Sequence, residues 1–251
     1  MTLKYIKFSA LILVFFSCHQ TITNKEANYQ RISIDNSLEP NPAIEDFLQP
    51  YKKHIDASMA EILCYSENAH TKTEGALNTA LGNMMADAVF EMTAPLLKKR
   101  QNETLDLVLL NHGGVRAALP KGPIKTETAF RIMPFENQVV VVQMKGSAIL
   151  EMIDYLKIAR RAHPISGMTL HITKKGILKK LLIQGKPLSL NNVYNVATSD
   201  YLLNGGDRMD FFKKNNAVYD MDYKIRNILI DYFKAKDTLN PKRDMRFIYT
   251  K

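Results

Sequence analysis

Four consecutive valines, Val139, Val140, Val141 and Val142, limit the folds open to this chain more than any other stretch. Side chains along a strand alternate between its two faces. An unbroken apolar run therefore needs cover on both sides, which predicts a strand inside a sheet with a layer packed on each face. A second apolar run, Leu105-Asp106-Leu107-Val108-Leu109-Leu110, reads as another buried strand. It ends in Asn111-His112-Gly113-Gly114-Val115-Arg116. Glycines in such a turn allow positive φ and let a ligand come close to the main chain. An arginine just beyond offers a planar, permanently charged fork to a phosphate or carboxylate. The plain alternative is a Gly-Gly turn with a solvated arginine.

Helical and strand patterns are mixed through the rest of the chain without regular βαβ alternation. A helix is predicted over 43–59, with Ile44, Phe47, Leu48 and Tyr51 on one face and Pro50 expected to kink or split it. A strand follows at 61–66, then a long helix at 79–99. That helix carries an apolar stripe of Leu81, Met85, Ala88, Val89, Met92 and Leu96, and Asn83, Asp87 and Glu91 on another face, with a bend expected at Pro95. Thr126 reads as the cap of a short helix to Phe130, and Ser147 as the cap of one reaching Arg160. A hairpin is predicted from 168–173 and 178–184, joined near Gly176. A strand at 193–198, a last helix at 222–236 and a terminal strand at 246–249 complete the chain. Hairpins beside crossover segments predict an α+β fold, a mixed β-sheet flanked by helices in a single domain, rather than a doubly wound parallel sheet.

The 251 residues carry a net charge of +9, which permits nucleic acid, an anionic membrane surface or an anionic small ligand as partner. The lysines read as scattered, in short pairs such as Lys98-Lys99 and Lys179-Lys180. There is no arginine-rich arm and no nucleic-acid-binding motif, which argues against a polymeric nucleic acid. Residues 1–18 have the layout of a secretory signal, with Lys4 and Lys7 before an apolar run at 11–16. Ser17-Cys18 resembles a bacterial lipoprotein cleavage site, so Cys18 is the expected lipidated residue; a simply secreted or uncleaved signal is the alternative. The expected location is therefore exported and lipid-anchored in the bacterial cell envelope, on either membrane face. The polar stretch 19–42 reads as a flexible tether and 43–251 as the folded domain. Cys64 sits in an apolar strand pattern and reads as a buried, inert thiol.

Two further turns share the character of the first: Met133-Pro134-Phe135-Glu136-Asn137 and Tyr201-Leu202-Leu203-Asn204-Gly205-Gly206-Asp207. Together the three supply an arginine, two aromatics, an amide and a carboxylate. Aromatic faces sandwich a planar base by stacking. A carboxylate accepts hydrogen bonds from two neighbouring hydroxyls, and an arginine pairs a phosphate. The alternative places Phe135 and Tyr201 in the core and makes Asp207 a turn cap.

With Leu81-Gly82-Asn83 and Ala86-Asp87-Ala88 upstream, and these turns following in order around the valine run, the chain resembles the C-terminal, substrate-binding domain of 5′-nucleotidases of the UDP-sugar hydrolase type. The resemblance covers roughly 40–251. It implies that Phe135 and Tyr201 stack a nucleobase, that Asp207 holds the ribose hydroxyls, that Arg116 lies on the phosphate side with Asn111 beside it in the pocket, and that Gly114 shapes the turn. Four departures stand out: His112 and Arg208 where glycine is usual, Tyr201 for phenylalanine, and no arginine shortly before Leu81.

The same resemblance implies that hydrolysis takes place in a metallophosphoesterase domain, where two divalent metals held by Asp, His and Asn activate water. The six histidines here form no Asp-x-His, Gly-Asn-His or His-x-His arrangement. No metal ligand or catalytic residue is therefore expected in this chain, and the two metals are expected in a partner. One expectation is the nucleotide-binding half of a split 5′-nucleotidase, completed by a separate metallophosphoesterase chain. The other is a non-catalytic nucleotide- or nucleoside-binding surface lipoprotein.

Overall fold

The computed structural model describes residues 29–251. The expected signal, Cys18 and the first part of the expected tether lie outside the described residues. Residues 29–41 are exposed and hold no helix or strand. Helix α1 (Pro42–Ala60) runs unbroken through Pro50, and none of its residues is buried. The helix is therefore not split at Pro50, and its apolar residues belong to neither buried cluster among the described residues. The chain from Gln49 to Lys251 forms one compact unit.

The valine run sits where its composition requires. Strand β4 (Gln138–Lys145) pairs antiparallel with β9 (Val193–Ser199) on one edge and β10 (Asn215–Lys224) on the other. Strand β9 runs parallel to β2 (Leu107–Leu109), which pairs antiparallel with β5 (Ile165–Ser166). The sheet order is thus β10-β4-β9-β2-β5. Val139 and Val141 face a core shared with Val108, Ala197 and two helices, α2 (Ala80–Gln101) and α5 (Ile225–Lys234). Val140, Val142 and Met144 face a second core with Leu107, Leu109, Val196 and α4 (Gly146–Ala159). Each buried valine contributes about 1.5–3 kcal/mol. A charge placed at Val141 would have no partner between the layers, at a cost of several kcal/mol on the order of a buried unpaired polar group.

Two smaller sheets complete the mixed architecture. One has the order β11-β1-β3, with β1 (Ile62–Ser66), β3 (Gly122–Lys125) and β11 (Thr238–Leu239). The other has the order β12-β6-β7-β8, with β6 (Met168–Thr173), β7 (Leu178–Ile183), β8 (Lys186–Pro187) and β12 (Phe247–Thr250). Cys64 is buried in β1, and burial pushes its thiol up to about 11, which keeps it protonated and inert.

The motif on α2 turns out to be structural. Thr79 Oγ1 accepts the Gly82 N–H at 3.0 Å and caps the helix. A methyl group on Gly82 would lie 2.9 Å from that same oxygen. Asn83 donates to Lys242 O at 3.1 Å, and Asp87 takes both terminal nitrogens of Arg246, at 2.8 and 2.9 Å. The polar face of α2 thus clasps the C-terminal segment. Pro95 lies within the helix without ending it.

Three local expectations need correction. Helix α3 (Thr126–Ile132) contains Thr126, and it is Thr128 Oγ1 that accepts the Lys125 N–H, at 3.1 Å. Helix α4 begins at Gly146, so Ser147 lies inside its first turn. The last helix begins at Ile225, because the residues before it form β10. That strand alternates exposed and partly covered residues, with only Met221 buried, and its Asn and Asp residues are poor strand formers.

Candidate functional site

Topology alone brings the three turns together. Because β2 and β9 are parallel, the segments leaving them, 110–116 and 200–208, emerge at one edge of the sheet. Strand β4 is antiparallel to β9, with Val139 opposite Ser199, so the segment entering it, 133–137, lies at the same edge. The loops enclose a cavity of about 280 Å³ lined by Asn111, Gly113, Gly114, Arg116, Phe135, Asn137, Tyr201 and Asp207 over an apolar floor that includes Met85, Leu110 and Ile225. All six residues singled out from the sequence, Asn111, Gly114, Arg116, Phe135, Tyr201 and Asp207, line it.

The carboxylate of Asp207 is the hub. Asn111 Nδ2 donates to Oδ2 at 2.7 Å and Tyr201 Oη donates to Oδ1 at 3.0 Å. A carboxylate oxygen has two lone pairs, so each keeps one acceptor position for a ligand hydroxyl. Asp207 itself is held in the left-handed region, at φ 52°. A bond from Tyr155 Oη to its carbonyl at 3.0 Å holds its backbone there. Burial raises the pKa of Tyr155, with the Asp207 charge adding to the effect, so the hydroxyl keeps its proton.

The first turn is a short 3₁₀ segment, His112–Gly114. Neither Gly113 nor Gly114 has positive φ. The glycines answer to crowding instead: a methyl at Gly114 would lie 2.8 Å from Asn111 Oδ1, and one at Gly113 3.3 Å from Asn111 Nδ2. The turn is tied down from below by a residue the sequence did not flag. His163 is 4% exposed, and its Nδ1 accepts the His112 N–H at 3.2 Å. Burial, with His112 beside it, holds His163 down at about 4, so it is neutral at neutral pH. His112 itself turns toward Ala162 O, 3.1 Å from Nδ1.

Phe135 and Tyr201 are 42% and 45% exposed, in contrast to the alternative that made them core residues. The Phe135 loop is clamped: Glu136 pairs with Lys224 and Arg226, and Arg226 stacks on Phe130 with its guanidinium 4.1 Å from the ring centroid. Hydrogen bonds from Lys224 first, then Arg226, hold the Glu136 carboxyl at about 2. Arg116 lies 5.9 Å from the Phe135 centroid and reaches back to Gly113 O at 3.4 Å. Lys72, also unflagged in the sequence, donates to Val115 O at 2.8 Å and adds a second cation beside the turn.

An arrangement of two exposed aromatics, a carboxylate with free acceptor positions and an arginine over an apolar floor can bind a planar ring, a vicinal diol and an anion at once. The residues do not fit a metal: among those described, no three His, Cys, Asp or Glu are placed to hold one. No step through a metal is assigned to this chain.

Residues 58–214 match the family model described as 5'-nucleotidase, C-terminal domain. The chain is similar to the trifunctional nucleotide phosphoesterase protein YfkN of Bacillus subtilis, 24% identical over 97% of this chain and 17% of that protein. It is similar to the 5'-nucleotidase of Vibrio cholerae, 24% identical over 85% of this chain and 38% of that one. Among solved structures it shares the fold of a 5'-nucleotidase precursor from Thermus thermophilus, with a TM-score of 0.68 and 23% identity over 82% of this chain and 42% of that one. The chain thus spans less than half the length of these relatives. Its match to the family model covers more than half of its own length, and it belongs to the family of 5'-nucleotidase C-terminal domains.

Proposed function

We propose that the cavity binds a nucleotide and serves as the substrate-selecting half of a 5′-nucleotidase acting in nucleotide breakdown. The base stacks between Phe135 and Tyr201, the ribose hydroxyls bond to Asp207, and the phosphate lies toward Arg116. The observation that carries this reading is the convergence of Asn111, Arg116, Phe135, Tyr201 and Asp207 on one cavity at one edge of the sheet. Hydrolysis belongs to a metallophosphoesterase unit carrying two divalent metals, which meets the open side of this pocket. The basic, apolar and Ser17-Cys18 pattern at the N-terminus supports export and lipid attachment at Cys18.

Calorimetric titration of the chain with AMP, UMP and adenosine tests the binding. Tyr201→Ala should weaken it by about ten- to hundredfold, the worth of one base–aromatic stack. Asp207→Ala should weaken AMP and adenosine alike, since both carry the ribose. Binding that neither substitution changes would place the ligand elsewhere and end the proposal.

A further inference from the structure

The charge of this chain is not spread evenly. Residues 155–199 contain eight Lys or Arg and no Asp or Glu, against a net charge of +9 for the whole chain. Four of the eight sit on one hairpin, whose tip reads Lys174-Lys175-Gly176-Ile177-Leu178-Lys179-Lys180. The β6–β7 turn holds the pairs Lys174-Lys175 and Lys179-Lys180 in one cluster.

The turn is tightly built. Gly176 N donates to Thr173 O at 2.9 Å, Thr173 N to Ile177 O at 2.9 Å, and Ile177 N to Thr173 Oγ1 at 3.1 Å. Gly176, at φ 84°, closes it, as is usual where a hairpin turn ends in a left-handed residue. Lys174, Lys175, Lys179 and Lys180 are all exposed and join none of the ion pairs among the described residues. Between the two lysine pairs, Ile177 is 57% exposed and Leu178 37%. The Arg160 side chain borders the same turn, 3.7 Å from where a Gly176 methyl would be, and Ile158 two residues earlier is 81% exposed.

Turn tips are normally polar, and isoleucine gains nothing from standing in water. A pair of aliphatic side chains ringed by lysines matches one environment well, the boundary between the headgroups and acyl chains of an anionic bilayer. There the aliphatic groups leave water while the ammonium groups meet lipid phosphates, and long lysine stems reach between the two. We propose that this hairpin is a docking site for an anionic phospholipid surface, with Ile177 and Leu178 entering the boundary. A nucleic acid would satisfy the lysines but not the aliphatic pair, and the tip offers no aromatic for a base to stack on. The proposal goes beyond nucleotide binding and is independent of a lipid at Cys18.

The test is co-sedimentation of the full chain with vesicles of phosphatidylcholine alone and of phosphatidylcholine mixed with phosphatidylglycerol. The ratio of anionic to neutral partitioning is read for each variant against the unaltered chain, so that the contribution of the N-terminal segment with Lys4 and Lys7, common to all, cancels. Changing the four hairpin lysines to glutamine should lower that ratio on the order of a hundredfold or more. Ile177→Asn, which adds no charge, should lower the partitioning onto the anionic vesicles itself by about tenfold. Two variants of unlike chemistry keep the test decisive if one of them fails to fold. A ratio near one for the unaltered chain, or anionic partitioning that neither change moves, would overturn the proposal. So would a ratio that falls with the lysines while Ile177→Asn leaves the anionic partitioning unchanged, since that would mark a general polyanion site.

Discussion

The two Gly-Gly turns of the pocket look alike in sequence and work by different physics. Gly113 and Gly114 have ordinary backbone angles and are small because Asn111 needs their space to reach Asp207. Gly205 is at φ 90° and is followed by Asp207 and Arg208, both also at positive φ. The first turn is a packed bracket resting on a buried histidine. The second is a bent backbone segment that carries the ligand-facing carboxylate. The same dipeptide therefore predicts different consequences when changed.

The largest expected effect concerns what lies beneath the first turn. His163 is held at about 4 in the folded chain against its usual 6.5. In that window the unfolded chain binds a proton that the folded chain does not. Stability is thus full above about pH 6.5 and falls as the pH drops toward 4, by about 3 kcal/mol. Urea unfolding near neutral pH and near about pH 4.5 should show the loss, and His163→Gln should flatten the slope. A slope unchanged by His163→Gln would mean the turn does not depend on that ring.

Next comes Gly206→Ala. Its methyl would lie 2.4 to 2.6 Å from three atoms of the Tyr201 ring, so the ring must move. AMP affinity should fall by about 1–3 kcal/mol, as for loss of a stack, while the urea midpoint barely shifts. Gly205→Ala should do the reverse. It forces a side chain into the left-handed region and should cost about 1–2 kcal/mol of stability, whereas Gly114→Ala should cost less than that in the same unfolding experiment. Equal losses at Gly205 and Gly114 would erase the distinction between the turns. The smallest effect is at Asn111→Ala, which removes one bond to Asp207 and should lower AMP affinity by about 1 kcal/mol.

The valine run was legible because burial on both faces leaves no room for polar residues, and its side chains lie in two cores. The three site turns were legible because glycine, proline and an isolated aromatic interrupt apolar strands. Strand β10 was not, since an edge strand tolerates the aspartates and asparagines that read as loop. Tyr155 and His163 were not either. Tyr155 lies within the periodic pattern of a helix, and His163 serves through its ring nitrogen at a main-chain N–H 51 positions away. Nothing local marks such a partner. Helix α1 was legible from its apolar periodicity, although none of its residues is buried.

The most direct test of the account is a crystal structure of the chain with AMP. The account predicts the adenine between the rings of Phe135 and Tyr201, a ribose hydroxyl within hydrogen-bond reach of Asp207, and the phosphate on the side of Arg116. AMP bound away from these three turns, or in the cavity with its base clear of both rings, would contradict it.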